Sequence, residues 1–164
     1  MLLKRKRLEV FVIFLLLVFL TECLTIFINQ HGVYDIYRED AVRVPWELPL
    51  KYIIPIWTGL FVLIGASGAL LWLKPPSQVR SLAVRIWAFQ LFLNILWPFC
   101  FFYIPLPVLP PILITLSFIT TILLMFYSYL VTPWSAILLF PYLLMVIYKL
   151  IFHWMLYILN LNIL

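Results

Sequence analysis

An all-α membrane protein, a single domain of five transmembrane helices, is the fold class this sequence predicts, and three observations carry that prediction. Of 164 residues, 66% are hydrophobic and only 10% are charged. That balance does not suit a soluble domain. Apolar runs recur at about 8–29, 53–73, 82–104, 110–131 and 134–159, each long enough as a helix to cross roughly 30 Å of hydrocarbon. Within the third run, Gln90, Asn94, Trp97 and Phe101 fall on one helical stripe of an otherwise apolar segment. Amides facing lipid are costly, so this stripe must turn toward other helices.

The first run follows Lys4, Arg5, Lys6 and Arg7, and its length, with Glu22 beside Cys23, predicts a retained helix rather than a cleaved signal peptide. Residues 30–52 form a long polar loop carrying Asp35, Arg38, Glu39, Asp40, Arg43, Glu47 and Lys51. Pro45 and Pro49 flank Trp46, which suits either a lid over a cavity mouth or an interfacial anchor. The second run contains Gly65, Ser67, Gly68 and Ala69, small residues suited to close packing within the chain or to a dimer seam. Trp57 and Phe61 share its other informative face.

A short basic turn, Lys74 to Arg80, leads to the third run. Pro110 and Pro111 fit the start of the fourth, where Thr115, Ser117, Thr120 and Thr121 supply hydroxyls that bond backward or across to a neighbour. Thr132-Pro133 reads as N-cap and first turn of the fifth. Along that last helix Tyr142, Met145, Lys149 and His153 share a stripe, with Phe152 beside it. Glu22 and Lys149 stand at similar depth, which predicts an intramembrane contact between them, assisted by His153.

The formal charge of +5 is concentrated in the N-terminal cluster and, with Lys74, Arg80 and Arg85, predicts a cytoplasmic N-terminus. The C-terminus and long loop then lie on the opposite face. Nothing supports nucleic-acid binding. Cys23 and Cys100 both fall within runs and read as small buried hydrophobes rather than disulfide or metal ligands. Seven Trp, nine Tyr and fourteen Phe exceed what interfacial belts require, so some should line an interior.

From about Arg43 to Asn160 the chain resembles the tryptophan-rich sensory protein and translocator protein family, also described as peripheral benzodiazepine receptors. The motifs are Pro55-Ile56-Trp57 followed by Gly65, Gln90-x3-Asn94-x2-Trp97-Pro98-x2-Phe101-Phe102, and Leu139-x-Pro141-Tyr142-Leu143-Leu144. The resemblance implies a five-helix bundle, often a homodimer, in a bacterial cell membrane, with a pocket beneath the first long loop for porphyrins and other planar hydrophobic molecules. It implies pocket roles for Trp46, Trp57, Asn94 and Trp97, supported by Gln90. This chain departs from the family on the fifth helix: Met145 replaces a usual Trp, Lys149 a small residue, and Phe152-His153 a Leu-Asn pair. Arg43-Val44 likewise replaces a Lys-Pro pair.

The expected ligand-binding set is therefore Trp46, Trp57, Asn94, Trp97, Met145, Lys149 and Phe152, with Gln90, Glu22, Tyr142 and His153 in support. Three functions fit: a tetrapyrrole-binding sensor, regulator or carrier; a photo-oxidative porphyrin-degrading enzyme; or a partner-binding membrane protein with a vestigial site. No catalytic constellation is evident and no cofactor is required, with porphyrin or haem entering as ligand. A C-terminal sterol motif is absent, because no basic residue follows Tyr157.

Overall fold

Long apolar sequences with few interior breakers make continuous helices, and proline and polar residues set their ends. The structure, a computed structural model, describes residues 2–30 and 42–162; the middle of the long loop, with His31, Asp35, Arg38, Glu39 and Asp40, lies outside the described residues. Five helices follow in order: α1 Leu2–Gln30, α2 Leu50–Trp72, α3 Gln78–Tyr103, α4 Leu109–Val131 and α5 Pro133–Leu159. All five are long and apolar enough to cross a membrane.

Several helices begin before their apolar runs. α1 includes the basic cluster, and α3 starts inside the turn because the Ser77 hydroxyl accepts from the Arg80 N–H at 3.1 Å. That cap satisfies one of the orphan donors of the first turn. At α5, Thr132 holds the N-cap position with Pro133 behind it, but its side chain makes no capping bond. Pro133 has no N–H to satisfy, and the Ser135 N–H bonds the Thr132 carbonyl at 3.1 Å instead.

The helices close into a ring in the order α1, α2, α5, α4, α3 and back to α1, with α2 also touching α3 across it. Two glycines permit the tightest approaches. A Cβ on Gly65 would stand 2.9 Å from Val18 Cγ2, and one on Gly68 would stand 2.5 Å from Trp87 Cε2 and 2.6 Å from Phe14 Cδ1. The small-residue face of α2 is thus filled by α1 and α3 of the same chain, which removes Gly65, Gly68 and fully buried Ala69 from any dimer seam.

Around this crossing lies the main core, with Phe14, Val18, Phe61, Ile64, Trp87, Leu124, Leu139, Tyr142 and Val146 all buried. Its polar atoms are paired. The Trp87 indole donates to the Ile64 carbonyl at 2.9 Å, and the Ser67 and Ser135 hydroxyls meet at 2.7 Å between α2 and α5. Of the two cysteines only Cys100 is buried; Cys23 faces outward from α1, contrary to its expected burial, because the α1 face turned inward is that of Phe14, Val18 and Thr21.

The tightness at Gly68 generates a prediction. Gly68→Ala should destabilise the bundle by about 1–3 kcal/mol, since neither ring facing it can withdraw easily: Trp87 is tied to Ile64. A Cβ on exposed Gly59 would meet nothing within 4 Å, so Gly59→Ala should stabilise by up to ~1 kcal/mol through helix propensity. Paired thermal unfolding in one detergent, with opposite signs for the two variants, checks both.

Candidate functional site

Across the ring, α3 and α5 meet through side chains, and the contacts divide into two storeys. The lower storey is polar. The Gln90 Nε2 donates to the Ser117 hydroxyl (2.7 Å) and to the Tyr142 hydroxyl (2.6 Å), while its Oε1 accepts from Thr120. Asn94 Nδ2 donates to the Gln90 carbonyl (3.1 Å) and to Tyr142 (3.0 Å), and the Tyr142 hydroxyl donates back to Asn94 Oδ1 at 3.2 Å. Gln90 and Tyr142 are fully buried and Asn94 nearly so. Every member is satisfied inside the bundle, which is what lets two amides reside at membrane depth.

The upper storey is aromatic and cationic. Trp57 of α2 reaches Tyr142 edge-on at 6.3 Å between ring centroids and so joins the storeys. The Lys149 Nζ lies 4.7 Å from the Trp57 ring centroid and 3.4 Å from that of Trp97, a cation held between two indole faces. Beyond Trp97 stand His153, perpendicular at 4.9 Å, and Phe101 at 5.6 Å. The His153 Nδ1 meets the Lys149 carbonyl at 2.7 Å, which fixes the ring on its own helix. The buried Trp97 Nε1 finds no hydrogen-bond acceptor among the described residues.

Above this cluster runs the described end of the long loop. Val44-Pro45-Trp46-Glu47 forms a turn closed by a Glu47 N–H to Val44 carbonyl bond of 3.1 Å, with proline where a turn favours it. Tyr148 of α5 and Asn160, which caps that helix, hold the segment. Asn160 accepts from the Val42 N–H (2.8 Å) and donates to the Val42 carbonyl (3.1 Å), while the Tyr148 hydroxyl accepts from the Leu48 N–H (3.0 Å) and donates to the Trp46 carbonyl (3.3 Å). Val44 is the inserted side chain, buried beside Leu156 with Phe101, Phe152, Met155 and Leu159 around it. Trp46 occupies the turn tip and is 49% exposed.

Among the expected site residues, Trp57, Trp97, Lys149 and His153 share one cluster, with Phe152 5.2 Å from His153. Gln90, Asn94 and Tyr142 form the floor, and Met145 packs partly buried against the main core. Glu22 stands elsewhere. The expected Glu22–Lys149 contact is not made: the Glu22 carboxylate accepts from the Thr58 hydroxyl, and no ion pair joins it to Lys149 among the described residues. Their depths are similar, but α2 separates them, since Trp57 points inward to Lys149 and Thr58 outward to Glu22.

Tyr148 and Asn160, which hold the loop, were not singled out by the sequence. Their polar ends near the close of an apolar helix were the available signal. Trp154 was likewise passed over; its indole donates to the Thr115 hydroxyl at 3.0 Å and ties α5 to α4.

The floor makes a quantitative prediction. Gln90→Leu strands the partners on α4 and α5 and should cost about 2–4 kcal/mol, whereas Tyr142→Phe leaves Gln90 bonded to Ser117 and Thr120 and Asn94 bonded to the Gln90 carbonyl, and should cost ~1 kcal/mol. Unfolding free energies of the two variants in a common detergent test the ranking.

A model of the TspO/MBR family matches residues 11–159, nearly the whole chain and all five helices. No curated protein matches the sequence. The matched range takes in the amide floor on α3, the Trp57 turn of α2 and the Pro141-Tyr142 turn of α5, the features through which the sequence resembled that family. With five membrane-crossing helices closed around them, this chain is an integral membrane protein of the TspO/MBR family.

Proposed function

We propose that the protein binds porphyrins, or similar planar hydrophobic molecules bearing a carboxylate, in the upper storey of the bundle, and acts as a sensor, regulator or carrier of them. One observation carries this reading: Lys149 stands between the faces of Trp57 and Trp97 with no carboxylate partner among the described residues. A cation at membrane depth without a counter-ion is costly, and an acidic guest would supply the missing charge. The indoles offer stacking area for the guest's flat body, and the Trp97 N–H adds a donor with no acceptor among the described residues.

Entry is through the loop. Four hydrogen bonds from Tyr148 and Asn160, and the Val44 side chain, hold the described segment on α5, so admission of a guest of porphyrin size requires some of them to give way. In a bacterial cell membrane with the basic N-terminus cytoplasmic, that entrance faces outward, and the protein would meet its ligand from the far side. Trp46, half-exposed at the turn tip, is placed to follow the segment when it moves.

Titration with protoporphyrin, followed by tryptophan quenching, tests the proposal. Lys149→Ala should weaken binding of the dicarboxylate at least roughly tenfold, equivalent to ~1.4 kcal/mol, and leave the dimethyl ester within about threefold. Equal losses for both ligands would sink the assignment of Lys149 as the acid partner. The Soret band of the bound porphyrin should also persist under illumination; its decay, dependent on intact protein, would replace a binding role with an enzymatic one.

A further inference from the structure

A second feature lies on the outer side of α2. Between α1 and α2 runs a groove of about 360 Å³ lined by Val12, Leu15, Leu16, Phe19, Phe61 and Val62, with Glu22 and Thr58 at one end. Val12, Leu16, Phe19 and Val62 are each more than 40% exposed, so the groove opens away from the bundle toward the surrounding lipid. From Val12 to Glu22 it follows ten residues of helix, roughly 15 Å at ~1.5 Å per residue.

The carboxylate is what makes this groove unusual. Glu22 is only 7% exposed, yet among the described residues its sole hydrogen-bonding partner is the Thr58 hydroxyl. That hydroxyl has one proton, and the Ile54 carbonyl 3.1 Å away competes for it. An ionised carboxylate accepts several hydrogen bonds, so Glu22 is left short of donors in an apolar setting. An acid there without a partner is expensive.

We infer that the α1–α2 groove binds a lipophilic amine, its alkyl chain lying along the Val12–Phe19 wall and its protonated nitrogen on the Glu22 carboxylate. Charge complementarity selects this occupant. A lipid acyl chain would fill the groove but leave the acid as it is, whereas an alkylammonium group donates directly to the starved carboxylate in a low-dielectric setting, where charge-assisted bonds are strongest. The site is separate from the Lys149 cluster, which lies on the interior side of α2 against Trp57, and it has the opposite sign. The bundle would thus hold an acid within and a base on its flank.

The test uses the full chain in nanodiscs and two photoreactive probes of equal chain length, a dodecylamine and a dodecanol, each with a diazirine in the chain; labelled residues are located by peptide mass spectrometry. The amine should label the groove residues of α1 and α2 about tenfold more than the alcohol, and unlabelled N,N-dimethyldodecylamine should compete. Glu22→Gln, which keeps a partner for Thr58, should reduce amine labelling to the alcohol level. Val62→Trp, which fills the groove and leaves the Glu22 carboxylate in the chain, should abolish labelling by both probes, and it carries the test if Glu22→Gln fails to fold. Equal labelling by amine and alcohol would show an acyl-chain groove and overturn the inference; so would amine labelling that survives Val62→Trp. Thermal unfolding of the same variants, followed by far-UV circular dichroism, serves as a fold control that is independent of any ligand.

Discussion

The bundle depends on the hydrogen-bonded floor in which Gln90, Asn94, Ser117, Thr120 and Tyr142 satisfy one another. In lipid no water waits to take up a stray amide, so these groups must find partners in one arrangement or destabilise any other. That requirement fixes the rotation of α3 about its axis and ties it both to its neighbour α4 and, through Tyr142, to α5 across the ring. Once α3 is oriented, Trp87 meets Ile64 and Gly68, and the other half of the ring has its register on α2.

The two halves of the ring are consequently packed by different means. At the α1–α2–α3 crossing, glycine allows backbone and ring to approach closely, and the result is a tightly packed apolar core. Above the amide floor the space between α3 and α5 is spanned by indole, imidazole and phenyl rings, whose edge-on and tilted contacts leave more latitude than interlocked aliphatic chains. Rigid packing below and adaptable packing above would let the proposed site take a guest without loosening the whole bundle. The loop segment extends this logic, since its four hydrogen bonds can be exchanged singly while Val44 seals the gap between them.

Sequence patterns expressed this design unevenly. Hydropathy runs and the amide stripe on α3 revealed the five helices and their inward face, because lipid punishes misplaced polarity more severely than water punishes misplaced apolarity. The stripe on α5 was equally legible: Tyr142, Lys149 and His153 do face the interior. Relations around the ring were not. Helical rise gives the height of Glu22 and Lys149, but their bearing depends on which helices are neighbours, and α2 stands between α1 and α5. The inward role of Val44 beside Trp46 was not legible either. Composition marks the large ring between prolines, whereas the turn itself places that ring at its tip and sends the smaller neighbour inward.

The placement of opposite charges on two sides of one helix has a physical consequence for α2. Trp57 and Thr58 are consecutive, so they point about 100° apart around the helix, one against the Lys149 cation and the other against the Glu22 carboxylate. Direct pairing of the two charges would have neutralised both. Separated by α2, the two have no partner of opposite charge among the described residues, the lysine inside the ring and the carboxylate on its flank. An ion pair between them would have served stability alone; without it among the described residues, the two proposed sites would discriminate their guests by sign.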